Sequence, residues 1–144
     1  MGFFRSRSRK EPESISSGDE RKELSLNLSD LQFISILKLS EEVKKRVSDA
    51  REMLKKKALE ICGTAPGTDE FKDIVRMQTL VSSDPKTAEL ISQAKRTYRC
   101  VYGLNVIMSF TRKEIEEMIE SSKSIYGSWG DDTRNKLSKA ISKK

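Results

Sequence analysis

The sequence predicts an all-α fold: a compact bundle of four to five helices with a flexible arm at the N-terminus. Apolar residues recur at spacings of three and four through most of the chain, which is typical of amphipathic helices. Residues that favour helix N-caps precede several of these runs, and a Pro-Gly pair separates two of them. The 144 residues suffice for one domain with a hydrophobic core. We assign residues 1–23 to the arm and residues 24–144 to the helical domain.

The clearest predicted helix begins after Ser40 and ends before Gly63. Serine is a favoured N-cap, and a glycine can adopt the left-handed backbone conformation that ends a helix. An apolar stripe runs along this segment and consists of Val43, Val47, Ala50, Leu54, Ala58 and Ile61. We therefore expect this face to be buried.

The segment 24–39 carries two conflicting patterns. Leucines alternate with polar residues from Leu24 to Leu28, which indicates a strand. Ser29 and Gln32 then form a possible capping box before a run of apolar residues, which indicates a helix. We favour a short helix for this segment.

Further helices are predicted in the second half of the chain. The first is marked by Phe71, Ile74, Val75, Gln78 and Val81. The most apolar helix begins at Pro85 with Asp84 as its N-cap and runs to Ser109, so we expect it at the centre of the bundle. Thr111 and Glu114 form a capping box for the next helix. A last, basic helix is predicted from residue 131 or 132 to the end.

The first ten residues combine a lipid signal with positive charge. Gly2 and Ser6 fit the myristoylation pattern, and a myristoyl chain alone binds a bilayer only marginally, with an association constant of about 10⁴ M⁻¹. Each basic residue near an anionic leaflet adds roughly 1 kcal/mol. The residues predicted to contact the membrane here are Phe3, Phe4, Arg5, Arg7, Arg9 and Lys10. The bulk of Phe3 beside the acceptor glycine leaves open whether Gly2 is acylated.

Other interpretations of this terminus stay open. The same arginines are typical of segments that fold on RNA, and a basic terminus can also have no membrane role. Ser6 and Ser8 are candidate phosphorylation sites, because each phosphate would add about −1.5 to −2 charge among the basic residues.

Two basic triplets lie on the helix predicted between Ser40 and Gly63. They are Lys44, Lys45 and Arg46, and Lys55, Lys56 and Lys57. The triplets are roughly three helical turns apart, or about 16 Å. They either extend the basic surface of the arm, toward a membrane or a nucleic acid, or simply keep the helix soluble.

The composition argues against an enzyme. The chain has no histidine, no glycine-rich phosphate loop and only two cysteines, Cys62 and Cys100. We therefore expect no metal, no cofactor and no small-molecule substrate. The two cysteines predict no disulfide framework and a reducing, cytosolic setting, with Cys100 buried.

Tyr98 and Tyr102 share a helical face with apolar residues, so core packing is favoured over base stacking. Trp129 is interpreted as a lid on a helix junction.

The N-terminal Gly2 and Ser6, the basic flank and the five predicted helices resemble a viral matrix protein. The nearest type is the small, myristoylated, all-helical matrix domain of retroviruses. The resemblance implies binding to the inner leaflet of a membrane, self-association and a structural role in particle assembly, with localisation in the cytoplasm, at the membrane or in a virion. The chain departs from that family by inserting residues 11–23 between the acylation site and the first clear helix. The alternative function is a nucleic-acid-binding or viral accessory protein, or a helical adaptor, that uses the same basic clusters.

Overall fold

The computed structural model describes residues 20–142, of which about 66% are helical. Six helices and one two-stranded sheet make up this part of the chain. In chain order they are β1 (Arg21–Asn27), α1 (Leu28–Ser35), α2 (Glu41–Cys62), α3 (Asp69–Met77), α4 (Pro85–Gly103), β2 (Asn105–Thr111), α5 (Arg112–Ser122) and α6 (Asp131–Ser142). The predominantly helical class is as predicted, but the sheet means that the fold is not strictly all-α.

The ambiguous segment near residue 24 is a strand followed by a helix. Leu24 and Leu26 are buried while the residues beside them are more exposed, which is the alternation of a strand. Helix α1 is capped by Asn27, whose side chain accepts from the Asp30 amide at 2.9 Å while the Asp30 carboxylate accepts from the Asn27 amide at 3.0 Å. The predicted cap at Ser29 is therefore two residues too late. Residues 21–23, assigned to the arm, lie in β1.

The second strand replaces the end of the long helix that the sequence predicts through Ser109. Helix α4 ends at Gly103, and Met108 lies in β2. This stretch contains valine, isoleucine, phenylalanine and threonine, which favour extended backbone when a partner strand is present. The Arg112 amide donates to the Glu20 carbonyl at 2.8 Å, which joins the start of β1 to the end of β2 and makes the pair antiparallel.

The described residues divide into two compact units. Residues 25–107 form a four-helix unit, in which α1 packs against α2, α3 against α4, and α2 against α4. The buried residues of α2 are Val43, Val47, Ala50, Leu54 and Ala58. Ile61 shares their helical face but is 62% exposed, because it lies beyond the part of α2 that is covered. Val81 is 92% exposed, since α3 ends four residues earlier than the apolar pattern predicts.

Residues 20–24 and 108–142 belong to a two-helix unit in which α5 packs against α6. Ile115, Met118 and Leu137 are fully buried in it. Helix α5 begins with the predicted capping box: the Thr111 hydroxyl accepts from the Glu114 amide at 3.1 Å, and the Glu114 carboxylate accepts from the Thr111 amide at 2.9 Å. The Arg134 guanidinium donates to the carbonyls of Ser122 at 3.2 Å and Ile125 at 2.8 Å, which fixes the segment that follows α5.

We expect Leu54→Ala to lower the free energy of unfolding by about 2–5 kcal/mol, because this side chain is 1% exposed and its removal leaves a cavity in the core. Leu59 lies on the same helix and is 52% exposed, so Leu59→Ala is the matched control and should change stability by about 0.5 kcal/mol or less. Urea denaturation followed by circular dichroism measures both. Equal losses for the two variants would show that the assigned core face of α2 is wrong.

Candidate functional site

Helix α2 is the platform for both basic triplets. The Ser40 hydroxyl accepts from the Val43 amide at 3.3 Å, and Glu41 and Glu42 lie in the first turn, where the helix dipole favours negative charge. Gly63 ends the helix in the left-handed conformation at φ 83°. Both predicted ends of this helix are confirmed, and the helix is 22 residues long.

Residues at the same position within the two triplets lie on the same side of α2. Eleven residues correspond to about three turns plus 20° at 3.6 residues per turn. Lys45 and Lys56 therefore lie on the same side of the helix. The same holds for Lys44 with Lys55 and for Arg46 with Lys57. The buried stripe lies on the remaining face, so that the two triplets repeat the same arrangement along the helix.

Only half of the six basic residues are exposed. Lys45, Lys56 and Lys57 are exposed, and we call them the α2 lysine group. Their triplet neighbours Lys44, Arg46 and Lys55 are half-buried. Long basic side chains can cover apolar surface with their stems, which reduces the area that they offer to a partner. The candidate contact surface of α2 is therefore smaller than the sequence predicts.

Acidic residues of α2 neutralise part of this charge. Lys45 pairs with Asp49 at 3.2 Å, and Lys55 pairs with Glu52 at 3.4 Å. Exposed pairs of this kind contribute only about 0–1 kcal/mol, so a stronger acidic ligand can displace them. Lys56 and Lys57 form no ion pair with another residue between 20 and 142. The most available positive charge on α2 is thus at this adjacent pair.

The N-terminal candidates lie outside the described residues. They are Gly2, Phe3, Phe4, Arg5, Ser6, Arg7, Ser8, Arg9 and Lys10. Their part in any site stays a sequence-based prediction, and the described part of the site is the α2 lysine group alone.

The two tyrosines of α4 pack against each other and against Phe71, and both are half-buried rather than fully buried. The Tyr98 and Tyr102 ring centroids are 4.8 Å apart, and both rings contact Phe71 of α3, at 6.4 Å and 5.9 Å respectively. Phe71 is 4% exposed, so this aromatic cluster joins α3 to α4 in the core of the four-helix unit. The rings are engaged with one another, which argues against their use as stacking surfaces for bases.

Trp129 covers its helix junction only in part. Its side chain is 47% exposed and nearby Tyr126 is 89% exposed, in the loop between α5 and α6. Positive φ angles at Gly127 and Gly130 allow this loop to turn, and Arg134 donates to the Trp129 carbonyl at 3.3 Å. Sequence reasoning did not identify Arg134 as the residue that holds this loop, because an arginine in a basic helix gives no signal of its own.

The two cysteines form a disulfide, which corrects the expectation of separate thiols. Cys62 and Cys100 have Cα atoms 5.8 Å apart and are 38 residues apart in sequence. Cys100 is half-buried rather than buried. The sequence places Cys62 at the end of a helix but Cys100 well inside a helix predicted to run to Ser109, so it gave no signal for this pair. A pairing partner depends on how the helices pack.

Between residues 20 and 142, no cluster of three or more acidic or cysteine side chains is arranged to hold a metal ion. An open depression of about 210 Å³ is lined by four apolar residues and three polar ones, which are Leu80, Val81, Ala88, Ile91, Ser82, Ser92 and Lys95. Ligand sites usually occupy about 300–1,000 Å³, so this depression is smaller than a typical ligand site. None of the described helices has the length and apolar character needed to cross a bilayer.

Comparison of the chain with protein-family models, curated proteins and solved structures found no match.

The aromatic cluster should give the protein an alkaline stability limit. Burial and the neighbouring Tyr98 hydroxyl raise the pKa of Tyr102 above its ordinary value of 10.0. The folded protein then holds this proton more tightly than the unfolded chain, so the contribution to stability is complete below about pH 10 and falls as the pH rises through the folded pKa. We expect Tyr102→Phe to reduce the fall in unfolding free energy above pH 10, measured by urea denaturation at several pH values.

The matched control is Tyr126→Phe, since that ring is 89% exposed and lies outside the cluster. This variant should retain the alkaline loss of stability. If it removed as much of the loss as Tyr102→Phe, the loss would not come from the cluster.

Proposed function

We propose that the protein is a non-enzymatic, peripheral membrane-binding protein of matrix type, which binds the anionic cytosolic leaflet through its basic residues and an N-terminal myristate. Within residues 20–142, the observation that supports this proposal is the α2 lysine group. Lys56 and Lys57 are exposed and form no ion pair with another residue of the described range. The net charge of +6 favours the same acidic partners.

The energetics require more than one signal. Three exposed lysines near an anionic surface contribute up to about 3 kcal/mol, and this is only a millimolar-range interaction or weaker on the usual scale. The four basic residues of the first ten would add up to about 4 kcal/mol, and one myristoyl chain roughly 5 kcal/mol. Because no single signal suffices, stable binding is expected only when lipid and charge act together.

The assembly role rests on the resemblance to retroviral matrix domains, which implies self-association beneath a membrane and a place in the virion. RNA is the rival acidic partner, since arginine-rich and lysine-rich surfaces bind phosphates on either kind of molecule. The membrane is favoured because a myristoyl group on Gly2 would insert into a bilayer and would find no equivalent site on a nucleic acid. The two partners are separated by comparing vesicles with single-stranded RNA in the same buffer.

Replacement of the α2 lysine group tests the charge contribution. We expect the triple variant Lys45→Gln, Lys56→Gln and Lys57→Gln to bind phosphatidylserine vesicles about 100-fold more weakly, since three contributions of about 1 kcal/mol are lost. Co-sedimentation with vesicles at low and physiological salt measures this loss, which should shrink as salt screens the charges.

The matched control removes the same charge elsewhere: Lys72→Gln, Lys113→Gln and Lys139→Gln, all exposed and on three other helices. An equal loss in both variants would mean that net charge, and not the α2 surface, determines binding. A variant of the α2 lysine group that loses RNA binding while vesicle binding is unchanged would favour the nucleic-acid function instead.

Gly2→Ala tests the lipid contribution. This change removes the acyl acceptor and retains Phe3, Phe4 and every basic residue, so it should move the protein from the membrane fraction toward the cytosol. Folding should survive, because the change lies outside the described helices, which begin at Leu28, and circular dichroism can check this. Intact mass after expression with an N-myristoyltransferase decides the first step: the wild type should gain about 210 Da and the variant nothing. A wild type without that gain would reject the lipid part of the proposal.

A further inference from the structure

The Cys62–Cys100 disulfide joins the ends of two helices. Cys62 is the last residue of α2, and Cys100 lies in the last turn of α4. Both residues are half-buried, and neither belongs to the fully buried core. Because the bond is not enclosed in the core, we expect a thiol reagent to reach it without global unfolding of the unit.

The last turn of α2 has little else to hold it. Ala58 is the last buried residue of this helix, whereas Leu59 is 52% and Ile61 is 62% exposed. Gly63 follows with φ 83°. Apart from its two neighbours in the chain, no residue has an atom within 4 Å of the place that a Cβ would occupy there. Because few apolar contacts cover residues 59–63, we expect this segment to open locally at a low free energy once the covalent bond is broken.

The segment that follows residues 59–63 is held by independent contacts. Thr64 and Ala65 are 2% and 3% exposed, and the Thr68 hydroxyl donates to the Ala65 carbonyl at 2.9 Å. Beyond them, the aromatic cluster of Phe71, Tyr98 and Tyr102 joins α3 to α4. Loss of the disulfide should therefore loosen one turn and leave the rest of the four-helix unit in place.

We propose that the Cys62–Cys100 disulfide is a redox-sensitive clasp, which a cellular dithiol or glutathione opens to release the last turn of α2. In the first step, a thiolate of the reductant attacks one cysteine sulfur, forms a mixed disulfide and displaces the other cysteine as a thiolate, which takes up a proton. A second thiol of the reductant then attacks the mixed disulfide and frees the remaining cysteine. Two electrons pass to the protein, which gains two thiols, and the reductant leaves as a disulfide. This inference goes beyond the proposed function and does not depend on it.

The experiment equilibrates the full chain in buffers with different ratios of reduced to oxidised glutathione and counts free thiols by maleimide labelling and intact mass. Hydrogen exchange is then measured on the fully oxidised and the fully reduced protein. We expect the clasp to open within the range of ratios found in cytosol, and amide exchange in residues 59–63 to accelerate by about tenfold or more. Exchange in residues 94–102 should stay unchanged, because the aromatic cluster persists.

Cys62→Ser and Cys100→Ser are the matched variants, and each should reproduce the rapid exchange of residues 59–63 without any reductant. If a variant fails to fold, the reduced wild type provides the same measurement. A bond that stays closed at every cytosolic ratio would make this disulfide a permanent structural link. Unchanged exchange in residues 59–63 after reduction, or loss of protection throughout residues 25–107, would equally overturn the clasp.

Discussion

Burial of the apolar stripe on α2 is the interaction on which the four-helix unit depends. Val47, Leu54 and Ala58 are almost fully removed from water, and α2 packs against both α1 and α4 through this side. At roughly 25 cal/mol per Å² of buried apolar surface, such a stripe outweighs any single surface ion pair on the same helix. The position of every basic residue on α2 follows from the rotation of the helix that this burial fixes.

Charge on α2 is available to a partner only where packing permits it. The same rotation that buries the stripe leaves Lys45, Lys56 and Lys57 exposed and half-buries the other three basic residues. Acidic neighbours at helical spacing pair with Lys45 and Lys55, which further concentrates the available charge at residues 56 and 57. A surface of this size suits a diffuse acidic partner such as a bilayer, with the N-terminal residues supplying further contacts.

Near the end of α2, different parts of the four-helix unit are held by covalent and by non-covalent contacts. Apolar contacts hold α2 as far as Ala58, an aromatic cluster holds α3 to α4, and a disulfide holds the turn between these regions. The lysines at positions 55–57 directly precede the turn that depends on the disulfide. The exposed Lys56 and Lys57 thus lie beside the least covered segment of α2.

The sequence by itself determined the features that local chemistry controls. Ser40, Asp84 and Thr111 cap their helices as predicted, and Gly63 ends α2, because each of these effects acts within one turn of the chain. Tertiary structure alone decided the sheet, since neither β1 nor β2 is stable until it pairs with a strand about 80 residues away. It also decided that Cys62 meets Cys100 and that Ile61 stays in water, because both depend on where α2 and α4 end against each other. The periodicity of apolar residues shows which face of a helix is buried. How far along the helix that face is covered depends on the packing of its neighbours.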